Sequence, residues 1–374
     1  MSSSFEEAAL FAEIGKVRGL DEEAMEAARR RQMKLAKPPG SLGKLEELSV
    51  QLAGITGKVL NGPMKKRLIV LCADNGVVDE GVASAPRYVT LAQAINMTKG
   101  LTGAGVLCAH YGAEIQVVDV GIMAEYDCPK ILDRKIVFGT GNIAHEPAMT
   151  KKTAIRAVMT GIELAGDAAK DGIGIIGVGE MGIGNTTTSA AVLASLTGQP
   201  AELVVGRGGG VNDKGFERKK EIVADAVKRF RPDRNDPLDV LAKVGGLDIA
   251  AMTGVFLGAA ANRLPVVIDG YISAVAALCA FRLCPRAREY MIPSHKSCEA
   301  GYAVAMNELS MKPMLMLDMR LGEGSGCPLV FGIVEAACAV MNNMASFESA
   351  GIDDGYLEEI RSEERYTDKG ETEI

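Results

Sequence analysis

Two carboxylates stand among glycines in this chain, Glu180 in Gly177-Val-Gly-Glu-Met-Gly182 and Glu323 in Leu321-Gly-Glu-Gly-Ser-Gly326. A carboxylate placed this way can serve as acid, base or hydrogen-bond acceptor, because its glycine neighbours let backbone amides and a substrate come close. The apolar run Met314-Leu-Met-Leu317 reads as a strand that delivers Glu323 into its loop, and open parallel sheets bind ligands beyond the carboxyl ends of their strands. Taken alone, Gly-Glu-Gly also fits a strand that ends in a turn with a solvated Glu. The upstream segment adds weight to chemistry. Ile173 to Val178 reads as a buried strand, Gly179 to Asn185 as a loop and Thr186 to Ser195 as a helix. Strand, glycine loop and helix make a phosphate-binding geometry: the helix start offers unpaired amides and the positive end of its dipole, and Thr and Ser hydroxyls add donors. The match to G-x-G-x-x-G raises a dinucleotide site. Against it, Glu180 would lie on the pyrophosphate, and the next apolar run, Leu203 to Val205, leads to Gly206 and Arg207 instead of an acidic ribose ligand. No Gly-Lys-Ser or Gly-Lys-Thr is present, so a Walker loop is excluded.

Elements that could position these residues alternate along the chain. Residues 3–35 carry apolar positions at helical spacing, Lys37-Pro-Pro-Gly40 stops that pattern, and a further helix is expected from Leu42 to about Ile55. Buried strands are expected at Arg67 to Ala73, Glu114 to Val118, Ile173 to Val178, Leu203 to Val205, Pro265 to Ile268 and Met314 to Met319, separated by helices. That alternation predicts an α/β fold with a Rossmann-like parallel sheet flanked by helices. Val330 to Met344 reads as a late helix, and the acid-rich segment after it as a mobile tail.

Composition narrows the function classes. Hydrophobic residues make up 48% of the 374 and charged residues 24%, with 5% aromatics and no Trp, as in a soluble α/β enzyme. A net charge of -7, without any basic stripe interleaved with aromatics, argues against a nucleic-acid partner. Apolar runs stop well short of the roughly 20 residues needed to span a bilayer, and the N-terminus lacks the pattern of a secretion signal, so a cytoplasmic protein without membrane association is expected. The eight cysteines form no C-x-x-C pair and read as buried free thiols, and the three histidines lack metal-ligand spacing, so neither a metal nor a cofactor is expected.

In order along the chain, Lys37-Pro-Pro-Gly-Ser-Leu-Gly43, Ala73-Asp-Asn-Gly-Val77, Glu80-Gly-Val82, Gly179-Glu-Met-Gly-Ile-Gly-Asn-Thr-Thr187, Val244-Gly-Gly246, Val266-Val-Ile-Asp-Gly270, Pro293-Ser-His295 and Leu321-Gly-Glu-Gly-Ser-Gly326 form a specific set. From about residue 30 to 348 the chain resembles the nicotinate-nucleotide:dimethylbenzimidazole phosphoribosyltransferases of cobamide lower-ligand activation. The resemblance implies a large catalytic α/β domain over 61–328 and a small helical domain built from both chain ends, 1–60 and 329–350, followed by a mobile tail over 351–374. It also implies a homodimer. The implied substrates are nicotinate mononucleotide and an aromatic base, which becomes the α-linked riboside phosphate as nicotinate leaves.

The same resemblance implies residue roles. Glu323 is the catalytic base that takes the imidazole proton, with Met314 to Leu317 and Leu321 as its apolar surroundings and Leu321 and Gly322 in contact with substrate. Glu180 is assigned to the ribose hydroxyls; its alternative is a helix-start Glu stabilised by the dipole. Gly182, Lys219 and Ser297 are assigned to the phosphate, and the family alignment selects Lys219 over Lys214 and Lys220. On the residues alone, each of these lysines also reads as a solvated surface lysine. Asp74, Asn75, Ser84 and Gln93 are expected around the acceptor, and Asp269 either touches a ligand or caps the Gly270 turn. Many relatives have His in place of Asn75 and Ser in place of Ala83, which leaves purines or phenols open beside benzimidazoles as acceptors. Outside this reading stand a nicotinamide-dependent oxidoreductase and a silent subunit of a heteromeric transferase.

Overall fold

The computed structural model describes residues 2–357. The strands are β1 (Lys66–Ala73), β2 (Glu114–Gly121), β3 (Leu132–Asp133), β4 (Ile175–Met181), β5 (Val266–Ile268) and β6 (Met291–Pro293). They form one parallel sheet in the order β3-β2-β1-β4-β5-β6. In β1 the run from Leu68 to Ala73 is completely buried, without polar alternation, as a strand covered on both faces requires. The order reverses between β1 and β4, and a parallel sheet leaves a crevice for a ligand at such a point.

Among the described residues the chain divides into two compact units, residues 2–18 with Lys65–Val330, and Gly19–Met64 with residues 331–357. The sheet lies in the first. There the helix Leu247–Ala261 is buried along nearly its whole length and packs closely on the helix Lys151–Lys170. Glycines permit the approach: a Cβ on Gly161 would lie 1.9 Å from the Ala251 carbonyl oxygen, and one on Gly254 equally close to that of Val158. The second unit contains the helices Glu22–Lys34 and Lys44–Thr56 and most of the helix Cys327–Asn343, around Ala28, Leu35, Ala53 and Met341. Lys37 of the Lys-Pro-Pro-Gly motif is buried in this unit and pairs with Glu46 at 2.7 Å.

Several expectations need correction. Leu203 to Val205 is not a strand: Ala201–Val204 is a short helix after Pro200, which starts it without a backbone N–H to lose. Met314 to Met319 forms no strand either. Leu315 makes a single bridge with His295, then Asp318 turns the chain with φ 52° and Met316 is 80% exposed. Two short strands, β3 and β6, lack the length that would mark them in the sequence. The first helix, Ser2–Ile14, belongs to the sheet-bearing unit and not to the small helical one, because it packs on Lys151–Lys170 and Leu247–Ala261. Of the expected tail, Gly355–Leu357 forms a 3-10 turn with Leu357 buried, and residues 358–374 lie outside the described residues. Cys128 is half-buried and Cys298 exposed; the other cysteines are buried, and all eight are free. Among the described residues no helix is long and apolar enough to cross a membrane.

Candidate active site

A cleft of about 260 Å³ opens at the carboxyl ends of β4, β5 and β6. Ser84, Gln93, Glu180, Gly182, Asp269, Ser297, Leu321, Gly322 and Glu323 line it, so residues far apart in sequence meet there. Asp74, Asn75 and Lys219 do not reach the wall.

Glu323 projects from an irregular loop and is 6% exposed. Its backbone is left-handed, φ 63°, between Gly322 at 84° and Gly324 at 83°. The carboxylate takes the amide of Ala104 on Oε2 at 3.1 Å and the side-chain amide of Gln93 on Oε1 at 3.5 Å. Ala104 lies in the first turn of the helix Gly103–His110, whose dipole favours a negative charge at this end. The apolar enclosure expected from the preceding run is absent: Met316, Leu317 and Leu321 are exposed.

The Glu323 loop is held from both sides. Asp269, the residue after β5, accepts the amides of Gly324 on Oδ2 at 3.0 Å and of Gly326 on Oδ1 at 2.7 Å. Asp269 lines the cleft, and its carboxylate also staples the Glu323 loop. Glu180, near the end of β4 and not within the glycine loop, accepts the Glu323 amide on Oε1 at 3.2 Å. Its Oε2 receives Asn185 Nδ2 at 2.5 Å, and the same nitrogen donates to Asp248 Oδ2 at 2.8 Å. Burial raises all three acids, Glu180 to about 8, Asp269 to about 7 and Asp248 to about 6.

The helix Asn185–Thr197 begins at the cleft, with Gly184 in the left-handed region before it and Thr186 on the wall. Lys219 is completely buried behind it and donates from Nζ to Thr186 Oγ1 at 2.9 Å and to the Gly206 carbonyl at 3.0 Å. Desolvation lowers its pKa to about 8. Lys219 thus stands behind Thr186 and the Gly206–Gly208 loop, where Arg207 is tied to Asp213 at 2.6 Å. Ser297 Oγ, on the facing loop, accepts the Glu299 amide at 3.3 Å.

Asp74 and Asn75 support the site from behind. Asp74 Oδ2 takes the Met123 amide at 2.7 Å, and Asn75 Oδ1 takes the Thr188 hydroxyl at 3.1 Å under the Gly182 turn. A Cβ on Gly182 would lie 2.4 Å from the Ala73 carbonyl and 3.2 Å from Asn75 Nδ2, so a side chain there is excluded by the packing. The wall on the Gln93 side, with Val82, Ala83, Ala85, Val89, Met181 and Ile183, is apolar and suits a flat aromatic molecule. Asp248 and Thr186 were missed as individual contributors; Asp248 follows Val244-Gly-Gly246 by two residues, the one signal that marked its neighbourhood.

The profile of a family described as phosphoribosyltransferase matches residues 17–352. A nicotinate-nucleotide–dimethylbenzimidazole phosphoribosyltransferase of Clostridium perfringens is 53% identical over 350 residues, which cover 94% of this chain and 97% of that protein. One of the same name from Ruminiclostridium cellulolyticum is 51% identical, covering 94% and 98%. A crystal structure of a nicotinate-nucleotide–dimethylbenzimidazole phosphoribosyltransferase from Thermus thermophilus matches with a TM-score of 0.85 at 38% identity, covering 90% of this chain and 100% of that one.

Proposed function

Because the chain belongs to the phosphoribosyltransferase family of the nicotinate-nucleotide–dimethylbenzimidazole enzymes, we propose that it moves ribose 5-phosphate from nicotinate mononucleotide to dimethylbenzimidazole or a related base, as an activating step for a cobamide lower ligand. One imidazole nitrogen of the acceptor attacks the anomeric carbon as the bond to the pyridinium nitrogen breaks. Nicotinate leaves with that electron pair and needs little acid help, since its ring nitrogen gives up its positive charge on departure. The second imidazole nitrogen must lose its proton, and Glu323 accepts it before releasing it to water. A single displacement inverts the anomeric centre and gives the α-riboside phosphate.

The observation that carries this reading is the Glu323 carboxylate, held by the Ala104 amide and Gln93 at the edge of an apolar cleft whose other end is a helix start backed by a buried lysine. Glu180 faces the ribose hydroxyls. The amides of Gly182, Gly184 and Thr186, with Ser297, take the phosphate, and Lys219 charges that corner from behind. The acceptor stacks among the apolar residues beside Gln93 and Ser84. The enzyme acts in the cytoplasm on this reading, as its phosphorylated donor does not cross membranes unaided, and it works as a homodimer: Leu101, Val106 and Leu321 are exposed, and Leu321 approaches Gly103 in the helix that carries Val106. A closed twofold pair is the commonest way to cover such residues.

The test is incubation of the purified chain alone with nicotinate mononucleotide and a panel of dimethylbenzimidazole, benzimidazole, adenine and phenol, followed by mass analysis. Equal amounts of nicotinate and a benzimidazole riboside phosphate are expected. No riboside phosphate from any acceptor would overturn the reading and favour a subunit that is silent by itself.

A further inference from the structure

Asp248 lies outside the cleft, is completely buried, and stands one hydrogen bond from its wall, through Asn185. It occupies the first turn of the helix Leu247–Ala261, where its Oδ1 accepts the Ile249 amide at 3.0 Å. Its Oδ2 receives Asn185 Nδ2, the nitrogen that also holds Glu180 Oε2. Two glycines make room for the carboxylate: a Cβ on Gly182 would lie 2.9 Å from Oδ2, and one on Gly246 2.4 Å from Oδ1. Neither Asp248 nor Glu180 has a salt-bridge partner among the described residues. Two buried carboxyls without a cation, joined through one amide group, are costly when both are ionised, and the low dielectric around them strengthens their mutual repulsion.

We propose that Asp248 is a positioning residue for the donor site: through Asn185 it fixes the orientation of Glu180 and, by its negative charge, sets the pH at which Glu180 gives up its proton. The chain of contacts runs from Asp248 to Asn185, to Glu180, and on to the amide of Glu323, so the ribose-facing carboxyl and the base-bearing loop share one anchor. The other titratable groups that face Glu180 are Asp269 after β5 and Glu323 on its loop, with Cys72 on β1 behind it and Asp74 acting on Asp248. None of these touches Asn185, which leaves Asp248 as the one that steers Glu180 by geometry as well as charge.

The inference rests on the assignment of Glu180 to the ribose, and the experiment separates the two. KM for nicotinate mononucleotide and the pH profile of kcat/KM are measured for the full chain and for Glu180→Gln, Asp248→Asn and Asp248→Ala, with the fold of each checked by circular dichroism. Above the pH at which Glu180 ionises, Glu180→Gln should raise the donor KM by on the order of tenfold or more, as expected for loss of a charge-assisted hydrogen bond. If it leaves KM unchanged, the ribose assignment itself falls. Asp248→Asn keeps an oxygen for Asn185 but removes the charge, so the limb governed by Glu180 should move to lower pH while the donor KM below that limb stays within about twofold of the parent. Asp248→Ala frees Asn185 and should raise the donor KM by about tenfold with a smaller change in kcat. A pH profile of Asp248→Asn that superimposes on the parent's, while Glu180→Gln is impaired, overturns the inference; that comparison decides even if Asp248→Ala does not fold.

Discussion

Glu323 carries a carboxylate on a left-handed backbone, a conformation that costs an L residue about 1–2 kcal/mol relative to the ordinary regions. The cost is offset by Asp269 and Glu180, which grip the amides of the same loop. Glu323→Gln keeps the shape and an oxygen for the Ala104 amide but removes the proton acceptor. Its kcat should fall by roughly 100-fold to 10,000-fold with little change in donor KM, as read by steady-state kinetics. Lys219→Ala empties a buried cationic site behind the corner proposed for the phosphate. It should weaken nicotinate mononucleotide by on the order of tenfold or more and leave the neutral acceptor's KM nearly unchanged; equal losses for nicotinate riboside, which lacks the phosphate, would contradict the phosphate role. The buried acids also predict a pH dependence of stability. Glu180, Asp269 and Asp248 hold protons in the folded chain up to about pH 8, 7 and 6, whereas in the unfolded chain they release them near pH 4. The folded state thus binds more protons across that window, and its stability falls as pH rises from about 4 to about 8. Thermal melts across this range should show a declining Tm, with a shallower decline in Glu180→Gln.

The elements explain which parts of the site were legible in the sequence. The glycines around Glu180 and Glu323 marked their loops, and continuous apolar runs marked β1, β2 and β4, because strands covered on both faces need no polar alternation. Apolar content misled at Met314 to Met319. Periodicity reports residue type and not burial, and this segment lies beyond the last strand, where one bridge to His295 is its only sheet-like pairing among the described residues. Family resemblance points to Lys219, Asp74 and Asn75 as ligand contacts, whereas all three lie behind the wall of the cleft, a placement set by burial, which no local pattern encodes. Asp248 had no motif of its own and became visible only when two helix starts met at Asn185. The loop that joins these elements is also testable. Gly322 has φ 84°, and a Cβ there would lie 2.5 Å from Glu180 Oε1. Gly322→Ala should therefore lower stability by about 1–2 kcal/mol and reduce kcat by at least about tenfold, measured by denaturant unfolding and turnover.

At the scale of the whole molecule, every residue assigned to chemistry lies in the sheet-bearing unit, and the cleft opens at the carboxyl ends of β4, β5 and β6. The exposed Leu101, Val106 and Leu321 beside that end predict self-association. Light scattering should report twice the chain mass at micromolar concentration, and Leu101→Glu with Val106→Glu should shift it toward the single chain; a fully active monomer in the parent would remove the dimer from the account. The double grip of Asp269 on Gly324 and Gly326 has a consequence for how the molecule breathes. Amides in a loop at the mouth of a cleft normally trade hydrogen for deuterium quickly, since local opening costs little there. These two are bonded to a buried carboxylate rooted at the end of the interior strand β5, so they exchange when that end of the sheet loosens. In heavy water the Gly324 and Gly326 amides of the Glu323 loop should therefore keep their protons about as long as the strands do.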